Sequence, residues 1–240
     1  MSSLPMIEVR DVAKTFVLHC QGGARLPVFS GVSFDVCAGE CLVLHAPSGA
    51  GKSTLLRTLY ANYRLQHGSV RVRQDGAWVD FAHANAQQLL DLRRRTIGFV
   101  SQFLRVIPRI GTLDLVAEPL IANGMARDDA LDTARAWLAR LNLPERLWPL
   151  PPATFSGGEQ QRVNIARSMV AQLPVLLLDE PTASLDAANR AVVIELIREA
   201  RARGAAMVGI FHDQEVREAV ATRVLDLAAL ARTETEPEAA

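Results

Sequence analysis

Residues 45–54 read HAPSGAGKST, and the fold class can be predicted by starting from this stretch. It matches the phosphate-binding pattern G-x-x-x-x-G-K-[ST], except that Ala46 stands where the pattern has its first glycine. An apolar run, CLVLH at 41–45, leads into it, and LLRTLY at 55–60 follows with helical character. Backbone N–H groups at the start of such a helix bind anions, and the helix dipole adds to the attraction. The sequence therefore predicts a phosphate-binding loop between a strand and a helix.

Each residue type in the second half of this loop has a chemical reason to be there. Glycines allow close approach of the backbone, the Lys52 ammonium reaches the β- and γ-phosphates, and the Ser53 hydroxyl is a ligand for Mg²⁺. The predicted nucleotide-binding set here is Ser48, Gly49, Ala50, Gly51, Lys52, Ser53 and Thr54. The alternative is a Gly/Ser turn without a ligand. Ala46 is compatible with binding if its φ is negative, and a positive φ there would cost roughly 1–2 kcal/mol.

A second element with chemical meaning is VLLLDE at 175–180. It predicts a buried strand that ends in two acidic residues. Asp179 would hold Mg²⁺, and Glu180 would orient and deprotonate an attacking water. Taken alone, the pair is equally compatible with an ordinary exposed strand end. Together with the phosphate-binding loop it predicts a hydrolytic nucleotide site.

A third element, FSGGEQQR at 155–162, places Ser-Gly-Gly at the start of a helix, which is another anion-binding arrangement. With it, the chain resembles the ATP-binding-cassette (ABC) ATPases, whose signature is LSGGQ-like. Phe155 and Glu159 depart from that signature, in which Leu and Gln are usual. In that family two subunits face head to tail, and the signature of one caps the ATP held by the other. The resemblance thus implies that Ser156, Gly157, Gly158 and Glu159 contact a partner's nucleotide.

The resemblance extends to further residues along the chain. Gln102 matches the glutamine that senses the metal and the attacking water, and is expected among the metal ligands with Ser53 and Asp179. Asp186 in SLD matches the D-loop and is expected among the nucleotide-binding residues, and His212 matches the histidine that contacts the γ-phosphate. Phe16 lies where the family places an aromatic ring against adenine. The implied catalytic residues are Glu180, His212 and Gln102, with ATP and Mg²⁺ as cofactors.

Hydrophobic periodicity predicts an α/β fold. Short strands are predicted over 7–10, 29–36 and 40–45, with a further pair at 68–73 and 77–81. Helices are predicted over about 52–60, 112–124, 127–143, 156–172 and 186–204 and after residue 211, with Thr112 and Asp186 as caps and Gly124 and Gly204 as stops. Apolar strands alternate with helices after residue 155, which indicates a mainly parallel sheet covered on both faces. The resemblance implies a P-loop NTPase core with an antiparallel β subdomain and an inserted α-helical subdomain. We expect one domain over 1–230, with the core at about 1–87 and 156–230, the helical subdomain at about 88–155, and a flexible acidic tail at 231–240.

Composition sets limits on partners and location. Lys+Arg and Asp+Glu both number 26, so charge gives no reason to expect nucleic acid or an anionic membrane surface as a partner. The first residues lack the pattern of a signal peptide, and the apolar runs are far short of the ~20 residues that span a bilayer. We therefore expect a cytoplasmic chain without direct membrane insertion. Three cysteines, Cys20, Cys37 and Cys41, are expected as reduced thiols. Arginine outnumbers lysine by 24 to two, the lysines being Lys14 and Lys52.

Stretches outside the shared motifs point to a narrower resemblance. Among them are SQFLRVIPRI at 101–110, LNLPERLWPLPPATF at 141–155 and LYANY at 59–63. They are similar to the L subunits of the bacterial carbon–phosphorus lyase system, which degrades phosphonates. That resemblance implies a subunit of a ribose phosphonate triphosphate synthase complex, which makes ribose 1-phosphonate 5-triphosphate from ATP and a phosphonate. The expected partners are other lyase subunits and a head-to-tail homodimer or a heterodimer with a related ABC subunit.

Two alternatives remain open at this point. The chain could be the nucleotide-binding part of a transporter of the lipoprotein-releasing or macrolide-export type. It could also be a module that has lost catalysis and uses ATP only to clamp a dimer.

Overall fold

Two β-sheets organise the part of the chain that the computed structural model describes, namely residues 4–18, 20, 22–102, 104 and 109–227. The strands are β1 (Pro5–Leu18), β2 (Ala24–Cys37), β3 (Cys41–His45), β4 (His67–Gln74), β5 (Ala77–Asp80), β6 (Ile97–Val100), β7 (Val175–Asp179), β8 (Ala206–Ile210) and β9 (Arg223–Asp226). The first sheet has the strand order β2-β1-β4-β5 and the second β6-β7-β8-β3-β9.

The five-stranded sheet is parallel throughout and carries the centre of the fold. Its strands β7 and β8 are buried along their whole length. Successive side chains alternate between two hydrophobic cores, so that Leu176 and Leu178 enter one core while Val175 and Leu177 enter the other. A core on each face explains the unbroken apolar runs in the sequence. The predicted α/β class with a parallel sheet is confirmed.

The four-stranded sheet is antiparallel, as predicted, but its first two strands are much longer than the sequence pattern indicates. β1 and β2 have 14 residues each and form a long hairpin, whereas the pattern predicts strands only over 7–10 and 29–36. Pairing between them shifts register between Val9 and Val12, again before Lys14, and again between Lys14 and Thr15. Each shift interrupts the alternation of buried and exposed side chains, which is why periodicity underestimates the strands.

The described residues contain seven α-helices, and all of them except the second fall in predicted segments. They are α1 (Lys52–Leu59), α2 (Ala86–Arg95), α3 (Thr112–Ala122), α4 (Arg127–Arg140), α5 (Gly157–Met169), α6 (Ala187–Ala202) and α7 (Gln214–Val220), with short 3₁₀ turns at Glu145–Leu147 and Pro152–Thr154. Asp186 caps α6 as predicted, because its carboxylate accepts a hydrogen bond from the Asn189 N–H at 2.8 Å. Gly204 follows α6 with a φ of 94°, which suits its predicted role as a stop.

Thr112 is not the cap of α3 that the sequence predicts. Gly111 holds the cap position, and Thr112 is the first residue of the helix. The Thr112 hydroxyl instead donates to the carbonyl of Leu150 at 2.8 Å, which ties the helix to the chain that leads into α5. The Thr112 side chain is fully buried, and its hydroxyl makes this tertiary hydrogen bond instead of the capping hydrogen bond that the local sequence predicts.

The predicted subdomain limits stay a prediction, and the predicted acidic tail at 231–240 lies outside the described residues. α3 packs on α4, and both pack on α5. Within the described ranges, no helix has both the length and the apolar character needed to cross a membrane.

Candidate active site

The predicted site residues follow the carboxyl ends of neighbouring parallel strands. The phosphate-binding loop follows β3, Gln102 lies two residues beyond β6, Asp179 ends β7, and His212 lies two residues beyond β8. Parallel strands direct all their carboxyl ends to one edge of the sheet, where ligands of α/β proteins bind. The strand order β6-β7-β8-β3 therefore brings together residues that are far apart in the sequence.

The phosphate-binding loop is built on left-handed glycines. Gly49 has a φ of 81°, and Gly51, the residue before α1, has a φ of 85°. The Lys52 ammonium donates to the carbonyls of Ala46 at 2.6 Å and Pro47 at 2.9 Å, so it lies against the loop that it follows. Ala46 is not among the described residues with a positive φ. The condition under which its methyl group is tolerated is met, since no left-handed strain arises there.

Ser53 and Asp179 form the candidate metal site. The Ser53 hydroxyl donates to a carboxylate oxygen of Asp179 at 2.9 Å. Asp179 is 1% exposed, and its burial raises the pKa of the carboxyl above the ordinary value, against the opposing effects of the Ser53 hydrogen bond and the Arg57 charge. A buried carboxylate beside a hydroxyl is an oxygen donor set that suits Mg²⁺, which keeps most of its other positions for water and phosphate. The residues present therefore fit the predicted metal.

Glu180 is held at both carboxylate oxygens by the two residues that the resemblance implies as its catalytic neighbours. His212 Nε2 lies 2.6 Å from one oxygen, and Gln102 Nε2 donates to the other at 3.3 Å. The side chain of Glu180 is 14% exposed and that of His212 is 60% exposed, so the pair lies at the boundary between core and solvent. The backbone of Glu180 has a φ of 52°, a left-handed conformation that is costly for a residue with a side chain and is found preferentially at functional sites.

A cleft of about 400 Å³ opens between the phosphate-binding loop, Glu180 and the β1–β2 hairpin. Its lining residues are Phe16, Leu26, Val28, Ser48, Gly49, Gly51, Lys52, Ser53, Thr54, Glu180 and His212. The sequence-based hypothesis did not include Leu26 and Val28. Phe16 pairs with Leu26 across the hairpin, which places both side chains on the same face of the sheet. Only the pairing register of the hairpin identifies Leu26 as the neighbour of Phe16. The predicted strands, 7–10 and 29–36, do not reach Phe16, Leu26 or Val28, so the sequence pattern gives no register there.

The signature residues lie elsewhere on the chain. Ser156 caps α5 in a capping box, in which the Ser156 N–H and hydroxyl donate to the Glu159 carboxylate at 2.8 and 2.7 Å. These hydrogen bonds hold the pKa of Glu159 below its ordinary value. Gly158 packs on the loop of Asp186, because a Cβ there would lie 2.9 Å from the Ser184 carbonyl oxygen. None of Ser156, Gly157, Gly158, Glu159 and Asp186 is among the described residues that line the cleft.

The ABC transporter family model matches residues 29–183 of the chain. The chain belongs to this family. It is 34% identical over 223 residues to the macrolide export ATP-binding/permease protein MacB of Shigella flexneri, covering 93% of this chain and 33% of that protein. It is 37% identical over 218 residues to MacB of Brucella melitensis, covering 91% of this chain and 32% of that protein. The chain therefore spans about a third of the length of these relatives.

Solved structures agree with the family. A dimeric post-hydrolysis structure of the ATP-binding cassette MJ0796, bound to ADP and phosphate, matches with a TM-score of 0.83 at 29% identity, covering 92% of this chain and 94% of that one. A second dimeric structure of MJ0796, described as a bacterial ABC transporter cassette, matches with a TM-score of 0.82 at 30% identity over the same shares of the two chains. The expected ABC ATPase fold is confirmed, and membership makes this chain an ATP-binding cassette of a family that uses ATP with Mg²⁺.

Proposed function

We propose that this cassette binds Mg²⁺ and ATP in the cleft beside the phosphate-binding loop and hydrolyses ATP with Glu180 as the general base. The observation that carries the proposal is the position of the Glu180 carboxylate between Gln102 and His212. A carboxylate held by two side chains at the end of a buried strand is oriented to accept a proton from a water molecule. The second alternative, a cassette that has lost catalysis, gains no support, because both acidic residues of the site are present.

The other residues have separate tasks in this proposal. Lys52 and the loop N–H groups bind the phosphates, while Ser53, Asp179 and Gln102 are the side chains for Mg²⁺. When bound, Mg²⁺ supplies positive charge that offsets the charge developing on the transferred phosphoryl group. His212 contacts the terminal phosphate and orients Glu180. Phe16 stacks on the base, beside the apolar side chains of Leu26 and Val28.

We further propose that two cassettes assemble head to tail, as a homodimer or with a related ABC subunit. The support is that Ser156, Gly157, Gly158 and Glu159 form a helix start that lines no part of this chain's own cleft among the described residues. A helix start of this kind binds an anion, and the nucleotide of a second cassette is the anion that it would cap. The two matched MJ0796 structures are dimers, which is consistent with this arrangement.

The catalytic assignment is tested by Glu180→Gln. The amide cannot accept the proton, so we expect kcat for ATP to fall at least ~100-fold, the usual contribution of a general base, while ATP still binds. Steady-state hydrolysis and direct ATP titration measure the two effects. Glu195→Gln, an exposed substitution on α6, is the matched control and should leave both unchanged. Unchanged turnover in Glu180→Gln would refute the assignment.

Two systems are candidates for what the ATPase drives. The named relatives are macrolide exporters with permease regions, and they support the transporter alternative better than the lyase. The carbon–phosphorus lyase alternative rests on the resemblance of the stretches 101–110, 141–155 and 59–63 to lyase L subunits. Apart from Gln102 and Phe155, the residues of these stretches lie outside the motifs that all cassettes share. Identity of 34–37% with a cassette includes those shared motifs, so it identifies the ATPase more firmly than the machine around it.

Disruption of the gene in its host separates the two systems. Loss of growth on an alkyl phosphonate as sole phosphorus source, with normal growth on phosphate, supports the lyase. Increased sensitivity to a macrolide, with normal growth on the phosphonate, supports the exporter. Complementation with the wild-type chain should restore the lost trait, and complementation with Glu180→Gln should not. If neither trait changes, both system assignments are wrong, although the ATPase proposal stands.

A further inference from the structure

Lys14 is a buried cation without a carboxylate partner among the described residues. Its side chain is only 7% exposed, in a chain that has only one other lysine. Its ammonium makes one long hydrogen bond, to the Arg64 carbonyl at 3.4 Å. Burying an ammonium is costly unless other groups replace the water that it loses, so this position requires a further stabilising interaction.

Two aromatic rings supply that interaction. The Lys14 ammonium lies 5.2 Å from the ring centroid of Phe16 and 5.3 Å from that of Tyr63. The two rings contact each other edge to face, with centroids 5.3 Å apart and planes at 80°. Both distances are within the range of cation–π attraction, which grows stronger when the cation is desolvated. Lys14, Phe16 and Tyr63 thus form one cluster, the lysine–aromatic cluster.

The backbone around this cluster is fixed as well. The Gln66 side-chain amide accepts from the Thr15 N–H at 2.7 Å and donates to the Thr15 carbonyl at 2.8 Å. The hairpin register shifts between Lys14 and Thr15, where the partner changes from Phe29 to Pro27. A bulge of this kind redirects the side chains that follow it. Phe16 follows this shift, and its ring both belongs to the lysine–aromatic cluster and lines the nucleotide cleft.

We propose that Lys14 is a positioning residue for the nucleotide base: together with Tyr63 it contacts the Phe16 ring and keeps that ring in the orientation that stacks on a purine. This inference rests on the proposed function, in which Phe16 contacts the base. Lys14 does not line the cleft, so it acts on binding through the ring and not through the phosphates. Its effect should therefore depend on the presence of a base in the ligand.

The test compares a ligand with a base and a ligand without one. In Lys14→Met, which keeps the length of the side chain and removes the charge, we expect KM for ATP to rise about 5-fold, with kcat changed less than twofold. The inhibition constant of tripolyphosphate, which has no base, should not change. Arg10→Met removes a cation from the same strand, where Arg10 is exposed and paired with Asp35, and should alter neither constant.

Further variants keep the test decisive if Lys14→Met does not fold. Tyr63→Leu retains the charge but removes the second ring, and should weaken ATP and not tripolyphosphate, whereas Tyr63→Phe keeps the ring and should behave like wild type. Equal weakening of ATP and tripolyphosphate, or no weakening of ATP, overturns the inference. Phe16→Leu distinguishes the proposed base contact of Phe16 from the proposed positioning role of Lys14. If it leaves ATP binding unchanged, the base contact in the proposed function is wrong. If it weakens ATP while Lys14→Met and Tyr63→Leu do not, only the role of Lys14 is wrong.

Discussion

At the scale of single residues, the acidic pair at the end of β7 illustrates how a site is built at the expense of stability. Glu180 keeps a left-handed backbone with a φ of 52°, which costs of order 1–3 kcal/mol for a residue with a side chain. Asp179 is buried to 1% exposure next to it, and burial raises the pKa of its carboxyl. Neither feature stabilises the empty cassette. Both are understandable if a metal ion and a nucleotide complete the site.

Asp179→Asn should therefore stabilise the nucleotide-free protein while removing the metal ligand. A raised folded-state pKa means that the ionised carboxylate destabilises the folded chain, and this cost grows as the pH rises from the ordinary Asp value through the raised one. We expect the variant to melt about 2–4 °C above wild type at neutral pH, the shift that 1 kcal/mol gives in a chain of this size. The difference should vanish at low pH, where Asp179 is protonated in both states.

Thermal unfolding from pH 3 to 8 without nucleotide, followed by the same series with Mg²⁺ and ATP, measures both effects. Added Mg²⁺ and ATP should raise the melting temperature of wild type more than that of Asp179→Asn. A variant that is less stable than wild type at neutral pH would contradict the assigned cost of burial.

At the scale of secondary-structure elements, the phosphate-binding loop depends on the strand that it packs against. A Cβ on Gly51 would lie 2.6 Å from Val28 Cγ1 and 3.1 Å from Phe29 Cδ1, so the start of α1 is in contact with β2. Gly49 has a similar φ, but nothing lies within 4 Å of the position of its missing Cβ. The two glycines share a conformational requirement, and only Gly51 has a packing requirement as well.

Gly51→Ala and Gly49→Ala separate these two requirements. Both should lose roughly 1–2 kcal/mol of stability to left-handed strain. Gly51→Ala should lose a further ~1–3 kcal/mol, because the added methyl group overlaps β2. Chemical denaturation of the nucleotide-free variants measures the difference independently of phosphate binding. Equal losses would show that the hairpin moves away from the loop without cost.

At the scale of the whole molecule, the nucleotide cleft and the signature helix start are separate parts of one chain. The phosphate-binding loop, Glu180 and His212 line the cleft, while the signature helix start lies outside it. Gly157, the first residue of α5, has no atom within 4 Å of the position of a Cβ and no positive φ. A side chain at Gly157 is therefore compatible with the single cassette, and its effect would fall on whatever faces the signature.

Gly157→Leu should block the ATP-dependent dimer without unfolding the chain. In the Glu180→Gln background, where ATP is retained, we expect light scattering to show a dimer with ATP, and a monomer when Gly157→Leu is added. The melting temperature without nucleotide should stay within a few degrees of the parent. Ala136→Leu, an exposed change on α4, is the control and should leave the dimer intact. A dimer that survives Gly157→Leu would place the interface elsewhere.

Features that depend on neighbouring residues along the chain could be predicted from the sequence. The loop at 45–54, the acidic end of VLLLD, the Asp186 cap and the alternation of strands with helices all follow from local spacing, and local spacing sets the backbone hydrogen bonds of a turn or helix start. Those features were enough to predict the fold class and the residues of the phosphate-binding loop, and the resemblance carried by FSGGEQQR at 155–162 added the ABC family.

Contacts that depend on pairing between distant segments were found only in the tertiary structure. Strand order brings Gln102, Glu180 and His212 into contact, and hairpin register puts Leu26 beside Phe16. The burial of Lys14 against two rings and the hydrogen bond that occupies the Thr112 hydroxyl were equally inaccessible from the sequence. The physical reason is the same in each case: bulges, register and sheet order are set by the packing of the whole chain, and no run of neighbouring residues records them.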